Sequence, residues 1–204
     1  MDTCNSSSTN GRRPSPAHRL LAAATGMTTE GYDSFQIRAV ARAAHVSPGT
    51  LYRHFPSKDL LLVACLENWL SDLFPVVHAE VVGIRGPVSR MLHVSARIAL
   101  GLIERPLLAD AFVRSYLLTN STAMESDNVR ARLGALFALA IGDSPGGRGE
   151  LCELVTDIWM VNLPALVQRR MGLTELQDRL QRSVSAVGLT MSDQRLRNEG
   201  VRPT

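Results

Sequence analysis

The sequence predicts an all-α protein: a small three-helix head built on a helix-turn-helix, joined to a larger helical domain. Three observations carry this prediction. Hydrophobic residues make up 45% of the 204-residue chain against 20% charged, enough to bury a core. Ala, Leu and Arg dominate, while strand-like runs of Val, Ile, Thr and Tyr are almost absent. Apolar residues recur at helical spacing between Ser-Pro, Gly-Pro and Gly-rich punctuation.

Residues 1–15 (MDTCNSSSTNGRRPS) are polar and Gly/Pro-containing, the composition of a flexible arm. Such an arm is either an inert tail or a strap whose Arg12 and Arg13 enter a minor groove. A first helix is expected from Pro16 to Glu30, with Leu20, Leu21, Ala24 and Met27 on one face and Gly31 as its stop. A second follows Asp33 or Ser34 as cap and turns Ile37, Val40, Ala41 and Ala44 inward. A third is announced by Ser47 as cap with Pro48 at the first helical position, and ends at Phe55–Pro56. Ser57 then caps a long helix expected to stop at Pro75.

The rest of the chain continues in helices. Gly86–Pro87 opens one through Glu104, with Met91, Ser95, Ile98 and Leu102 near one face. Pro106 begins a shorter one through Leu118, and residues 122–141 form the next. Gly142 to Gly149 has loop composition. A long helix over Glu150–Met171 is expected to kink at Pro164. Thr174 and Gln177 have capping-box spacing for a last helix carrying Leu176, Leu180, Val184 and Val187. The expected division is an arm over 1–15, a helix-turn-helix head over 16–62, a larger helical domain over 63–188, and a flexible tail over 189–204.

The charge is mild overall, +3, but unevenly placed. Through residue 60 there are seven basic and four acidic side chains; the 15 basic and 15 acidic residues beyond cancel. A basic front end on a neutral body points that end at a polyanion. Cys4, Cys65 and Cys152 stand at no metal-ligand spacing, and the latter two fall in apolar helical patterns, as small buried hydrophobes do in a reducing compartment. The chain carries no unbroken apolar run of about 18 residues, so a cytoplasmic protein is expected.

The segment from Gln36 to Lys58 (QIRAVARAAHVSPGTLYRHFPSK) is the most specific. Two short helices meet at a turn at His45–Val46, with Val40, Ala41, Val46 and Leu51 placed to lock their crossing. Ala44 and Gly49 are small enough for close helix approach. The third helix then presents Ser47, Pro48, Thr50, Tyr52, Arg53 and His54, a surface of hydrogen-bonding groups suited to base edges and phosphates. Arg53 is of the kind that forks onto guanine, and Thr50 or Pro48 of the kind that meets a thymine methyl. Arg38, Tyr52 and Lys58 suit phosphate, which positions without specifying.

The run from Glu30 to Lys58, and Gly49-Thr-Leu-Tyr-Arg-His-Phe-Pro-Ser-Lys58 within it, resembles the head of the TetR family of bacterial regulators. That resemblance implies an all-α homodimer whose heads each place a recognition helix in a major groove, with a ligand pocket in the larger domain. It places DNA contacts at Gln36, Arg38, Ser47, Pro48, Thr50, Tyr52, Arg53, His54 and Lys58. Phe35 stands where the family often has a phosphate-touching Thr, and His45 where it favours Gly. In the larger domain, Arg105–Tyr116 and Val155–Asn162 resemble the KstR-type repressors of sterol and lipid catabolism. This implies an acyl-CoA or sterol-derived effector.

A TetR-like pocket is expected to be lined by Met91, Ser95, Ile98, Phe112, Tyr116, Met124, Trp159 and Asn162. Asn162, an amide on an apolar face, either meets a ligand or bonds a neighbouring backbone group. Met91 and Met124 also read as core fillers, and Trp159 fits pocket, core or interface alike. The last two long helices are apolar on more than one side. Leu163, Leu166 and Val167 with Leu176, Leu180 and Val184 are therefore expected at a homodimer seam.

Catalysis is not expected. The five histidines show no i, i+4 pair and no acidic partner at metal spacing, and there is no P-loop, dinucleotide fingerprint or nucleophile elbow. No cofactor is implied. Two rival readings keep the DNA-binding head: a multidrug sensor, against which the sparse aromatics count, and a dimer with no ligand.

Overall fold

The computed structural model describes residues 14–118, 124–142 and 148–199, and among these there are nine α-helices and no strand. The arm with Arg12 and Arg13, Cys4, the centre of the Gly-rich loop, the last residues of the tail and the side chain of Met124 lie outside the described residues.

The head comprises α1 (Pro16–Met27), a 3₁₀ turn (Thr28–Glu30), α2 (Ile37–Ala43) and α3 (Pro48–His54). Ser15 caps α1 by accepting from His18 N, as Ser47 caps α3 from Thr50 N and Ser57 caps the next helix from Leu60 N. In α2 the expected cap does not form. Gln36 holds the cap position with no side-chain bond, because a 32–34 turn places Asp33 and Ser34 too early. Leu20, Ala24, Val40, Ala41 and Leu51 are buried together, so the α2–α3 crossing is locked as the pattern required, with Val46 half-buried beside it. Gly49 differs: it is exposed, and a Cβ there would meet nothing. It does not serve helix packing.

α4 (Lys58–Val81) leaves the head and runs through the body, packing on α1 and on three helices of the body that begin at Pro87, Pro106 and Met124. It continues past Pro75, where a stop was expected. Pro75 and its neighbours Phe74 and Val76 are exposed, so water can serve the carbonyl that loses its partner, while Val77 and Val81 remain anchored in the core. α4 is long and apolar enough to cross a membrane by length and composition alone. Here Leu61, Leu62, Val63, Cys65, Leu66 and Leu70 are buried in protein instead.

The body adds α5 (Pro87–Ile103), α6 (Pro106–Leu118), α7 (Met124–Ile141), α8 (Arg148–Val167) and α9 (Leu173–Glu199). Gly101 lets α5 come close to α4: a Cβ there would lie 2.6 Å from the Trp69 ring. α8 contains Pro164 and ends at Val167 with a left-handed Arg169. α9 departs from expectation at both ends. It begins at Leu173, so Thr174 falls inside the first turn, and Gln177 donates to the Leu92 carbonyl of α5 at 3.4 Å. It then runs on to Glu199, through the stretch expected to be a tail.

The stripe expected at a dimer seam is largely internal. Leu163, Leu166, Leu176 and Leu180 are at most 4% exposed within the single chain, because α8 and α9 turn this face onto α5 and each other. Val167 and Val184 are half-buried.

Candidate functional site

The turn between α2 and α3 sets the recognition helix. His45, which stands where the family favours Gly, adopts φ 53°, in the left-handed region. With it, His45 N donates to Arg42 O and Val46 N to Ala41 O, at 3.1 and 2.9 Å. This pair of bonds closes α2 as a Schellman motif and satisfies two carbonyls that helix ends leave open. Ser47 follows in extended conformation, accepts from Thr50 N at 3.2 Å and donates to Thr50 Oγ1 at 3.0 Å. The chain therefore turns from α2 into α3 within residues 44–47, and α3 starts capped.

On α3, Leu51 is buried while Pro48, Gly49, Tyr52, Arg53 and His54 face outward and Thr50 is half-exposed. Gln36 and Arg38 are exposed at the start of α2. Phe35 is 4% exposed, so the residue standing in place of a Thr is a core residue of the head. Ser47 has its hydroxyl engaged in the cap. Lys58 is also engaged: its ammonium donates to the Tyr32 carbonyl and lies 3.8 Å from the Tyr32 ring centroid. Only its remaining N–H donors are left for a further partner.

Tyr32 links head to body. Its hydroxyl donates to Asp59 Oδ1 at 2.6 Å, and burial, followed by that bond and the Asp59 charge, pushes its pKa up to about 12. Beside it, Arg114 of α6 pairs with Asp110 at 2.8 Å and reaches Asp33 at 3.9 Å. The Tyr32–Asp59 and Arg114–Asp33 pairs are 27 and 81 residues apart in the chain, so they leave no local pattern in the sequence.

Most of the expected effector-lining residues converge, but as a packed interior. Met91, Ser95, Ile98, Phe112 and Trp159 are at most 1% exposed. Trp159 Nε1 donates to Ser95 Oγ at 3.1 Å, so the indole's polar handle and the buried hydroxyl satisfy each other. Tyr116 is half-buried, and burial above all raises its phenol pKa. Asn162 takes the backbone alternative: it donates to Ile158 O at 2.6 Å and accepts from Arg179 at 2.9 Å, bracketing α8 to α9. A cleft of about 620 Å³ instead opens between the ends of α4 and α7 and the start of α5. The expected stop at Pro75 hid it, because His78 and Val81 were given no element. Among the described residues no group of three or more His, Cys, Asp or Glu is placed to hold a metal ion.

Residues 20–65 match the bacterial regulatory proteins of the tetR family, and residues 85–187 match the tetracyclin repressor-like C-terminal domain. The chain is 33% identical to the HTH-type transcriptional repressor KstR of Mycobacterium tuberculosis, over 86% of this chain and 80% of that protein. To KstR of Rhodococcus jostii it is 34% identical, over 81% and 79%. Among solved structures, a TetR transcriptional regulator from Rhodococcus sp. RHA1 superposes with a TM-score of 0.72 at 24% identity, over 87% of this chain and 97% of that one. Thermus thermophilus FadR, solved in complex with lauroyl-CoA, superposes with a TM-score of 0.65 at 19% identity, over 81% and 91%. The chain belongs to the TetR family of bacterial regulatory proteins.

Proposed function

We propose that this TetR-family transcriptional repressor binds a pseudo-palindromic operator in the cytoplasm as a homodimer, and leaves it when an apolar or CoA-linked metabolite binds its body. The observation that carries the DNA half is the outward face of α3, held in register by the His45 turn and the Ser47 cap. Arg53 forks onto guanine and Thr50 or Pro48 meets a thymine methyl. Gln36, Arg38, Tyr52, His54 and a free donor of Lys58 fix the backbone. The open space around Gly49 lets the duplex approach the helix closely.

For the effector, the support is relatedness. KstR proteins are relatives over most of the chain, and a protein of the same fold was solved in complex with lauroyl-CoA. We take the effector to be a steroid- or acyl-CoA of lipid catabolism. Gel shifts with the DNA upstream of the protein's own gene are the test. Binding should fall steeply with salt, and Arg53→Ala should weaken it by about 1–3 kcal/mol and relax specificity at one base pair. Adding lauroyl-CoA or a steroid-CoA thioester at 100 times its dissociation constant should release the DNA and stabilise the fold by about 2.7 kcal/mol. Full-strength, unchanged binding by Arg53→Ala would remove the contact assignment, and DNA retained at saturating thioester would remove the effector reading.

A further inference from the structure

The α4–α5–α7 cleft has the character of a ligand site that the packed interior lacks. Its apolar wall is Phe74 and Val81 of α4, Val82 just beyond, and Leu139 of α7. Phe74 and Val82 are 39% and 78% exposed, so folding leaves this apolar surface wet. Its polar side chains are His78 and Arg90, and among the described residues no carboxylate lines it. Arg90 is fixed in place: Nε donates to Ala140 O at 2.7 Å and one terminal nitrogen to Ile84 O at 3.4 Å. Gly142, at φ 70°, makes room for the other terminal nitrogen, which would lie 3.2 Å from a Cβ there. A preorganised cation beside an apolar wall, in a space of small-molecule size, complements an amphiphilic anion.

We propose that this cleft binds an elongated apolar molecule with an acidic head group. The chain lies along Phe74, Val81 and Leu139, and the head meets Arg90 and His78. The inference rests on the reading of the chain as an effector-controlled repressor and gives that effector a place and a charge. The cleft also lies at one end of α4, whose other end carries the Lys58–Tyr32 contact to the head.

Calorimetric titration of the full chain with decanoate, decanol and lauroyl-CoA tests this. His78 and Ala135 are exposed, so His78→Glu and Ala135→Trp change the cleft without touching the core. His78→Glu should weaken decanoate about tenfold through charge repulsion and leave decanol unchanged. Ala135→Trp should fill the space and weaken both decanoate and decanol. Wild-type affinity for decanoate in both variants would overturn the site, while intact DNA release by lauroyl-CoA would leave the repressor reading standing. If the wild-type protein binds neither decanoate nor lauroyl-CoA, the cleft proposal falls, and DNA release by a steroid-CoA thioester decides the repressor reading separately.

Discussion

Tyr32 shows how one side chain holds two parts of the molecule together. Its carbonyl and ring take the Lys58 ammonium, and its hydroxyl takes Asp59, so the loop before α2 is tied to the first turn of α4. The phenol is held protonated to about 12 against 10.0 for a free tyrosine. A folded-state pKa raised in this way contributes stability that is complete below about pH 10 and disappears as pH rises toward about 12. Cys65, buried against α1 and also pushed up to about 12, from 9.0, adds a loss that begins earlier. Tyr32→Phe removes the Tyr32 part alone. The variant should be less stable than wild type near neutral pH, and the gap should close between pH 10 and 12. Urea denaturation across that range reads it, and a gap that stays constant would mean that the Tyr32–Asp59 bond contributes nothing through ionisation.

Two helices, α2 and α8, end by the same device without glycine. His45 and Arg169 both take left-handed φ, at 53° and 56°. In each, the residue after it bonds five residues back, Val46 to Ala41 and Arg170 to Ala165. A β-branched residue tolerates that conformation worst, so His45→Val should destabilise the head by about 1–2 kcal/mol, whereas His45→Gly should not. Thermal unfolding followed by circular dichroism distinguishes them, and equal melting of the two variants would show that the turn is not under conformational constraint. This turn was legible in the sequence because its chemistry is local: a cap, a proline and a position wanting φ > 0 within four residues. So were the Ser47 and Ser57 helix starts, whereas Ser15 was counted with the arm and proves to cap α1. What escaped was decided by packing across the chain. Pro75 reads as a stop until Val77 and Val81 are seen anchored beyond it, and the Thr174–Gln177 spacing reads as a cap until Gln177 is seen reaching α5. Gly49 read as a packing residue because sequence gives its size but not the empty space before it.

At the scale of the assembly, the direction in which α8 and α9 face limits where a second copy would dock. Leu163, Leu166, Leu176 and Leu180 already fill the chain's own core, so the sequence stripe counted apolar sides correctly but could not tell the inner from the outer. The unfilled side of α8 carries Leu154, Ile158, Val161 and Ala165 at helical spacing, half-buried except for Val161, which is 79% exposed. An apolar row on an outer helix face, continued by half-buried Val167 and Val184, is where a two-fold partner would complete a four-helix seam. The two kinds of leucine and valine then fail differently. Leu180→Ala should cost about 2–5 kcal/mol of stability through the cavity it leaves, with the dimer intact at concentrations where the fold survives. Val161→Glu should leave the monomer folded, since its side chain stands in water there, but should place a charge in the seam and dissociate the dimer. Two heads spaced about 34 Å apart are what a palindromic operator reads, so dissociation should also cost operator affinity while weak non-specific DNA binding persists. Sedimentation velocity and gel shifts on Val161→Glu test this together. A variant that remains dimeric and binds its operator normally would move the seam off this face of α8.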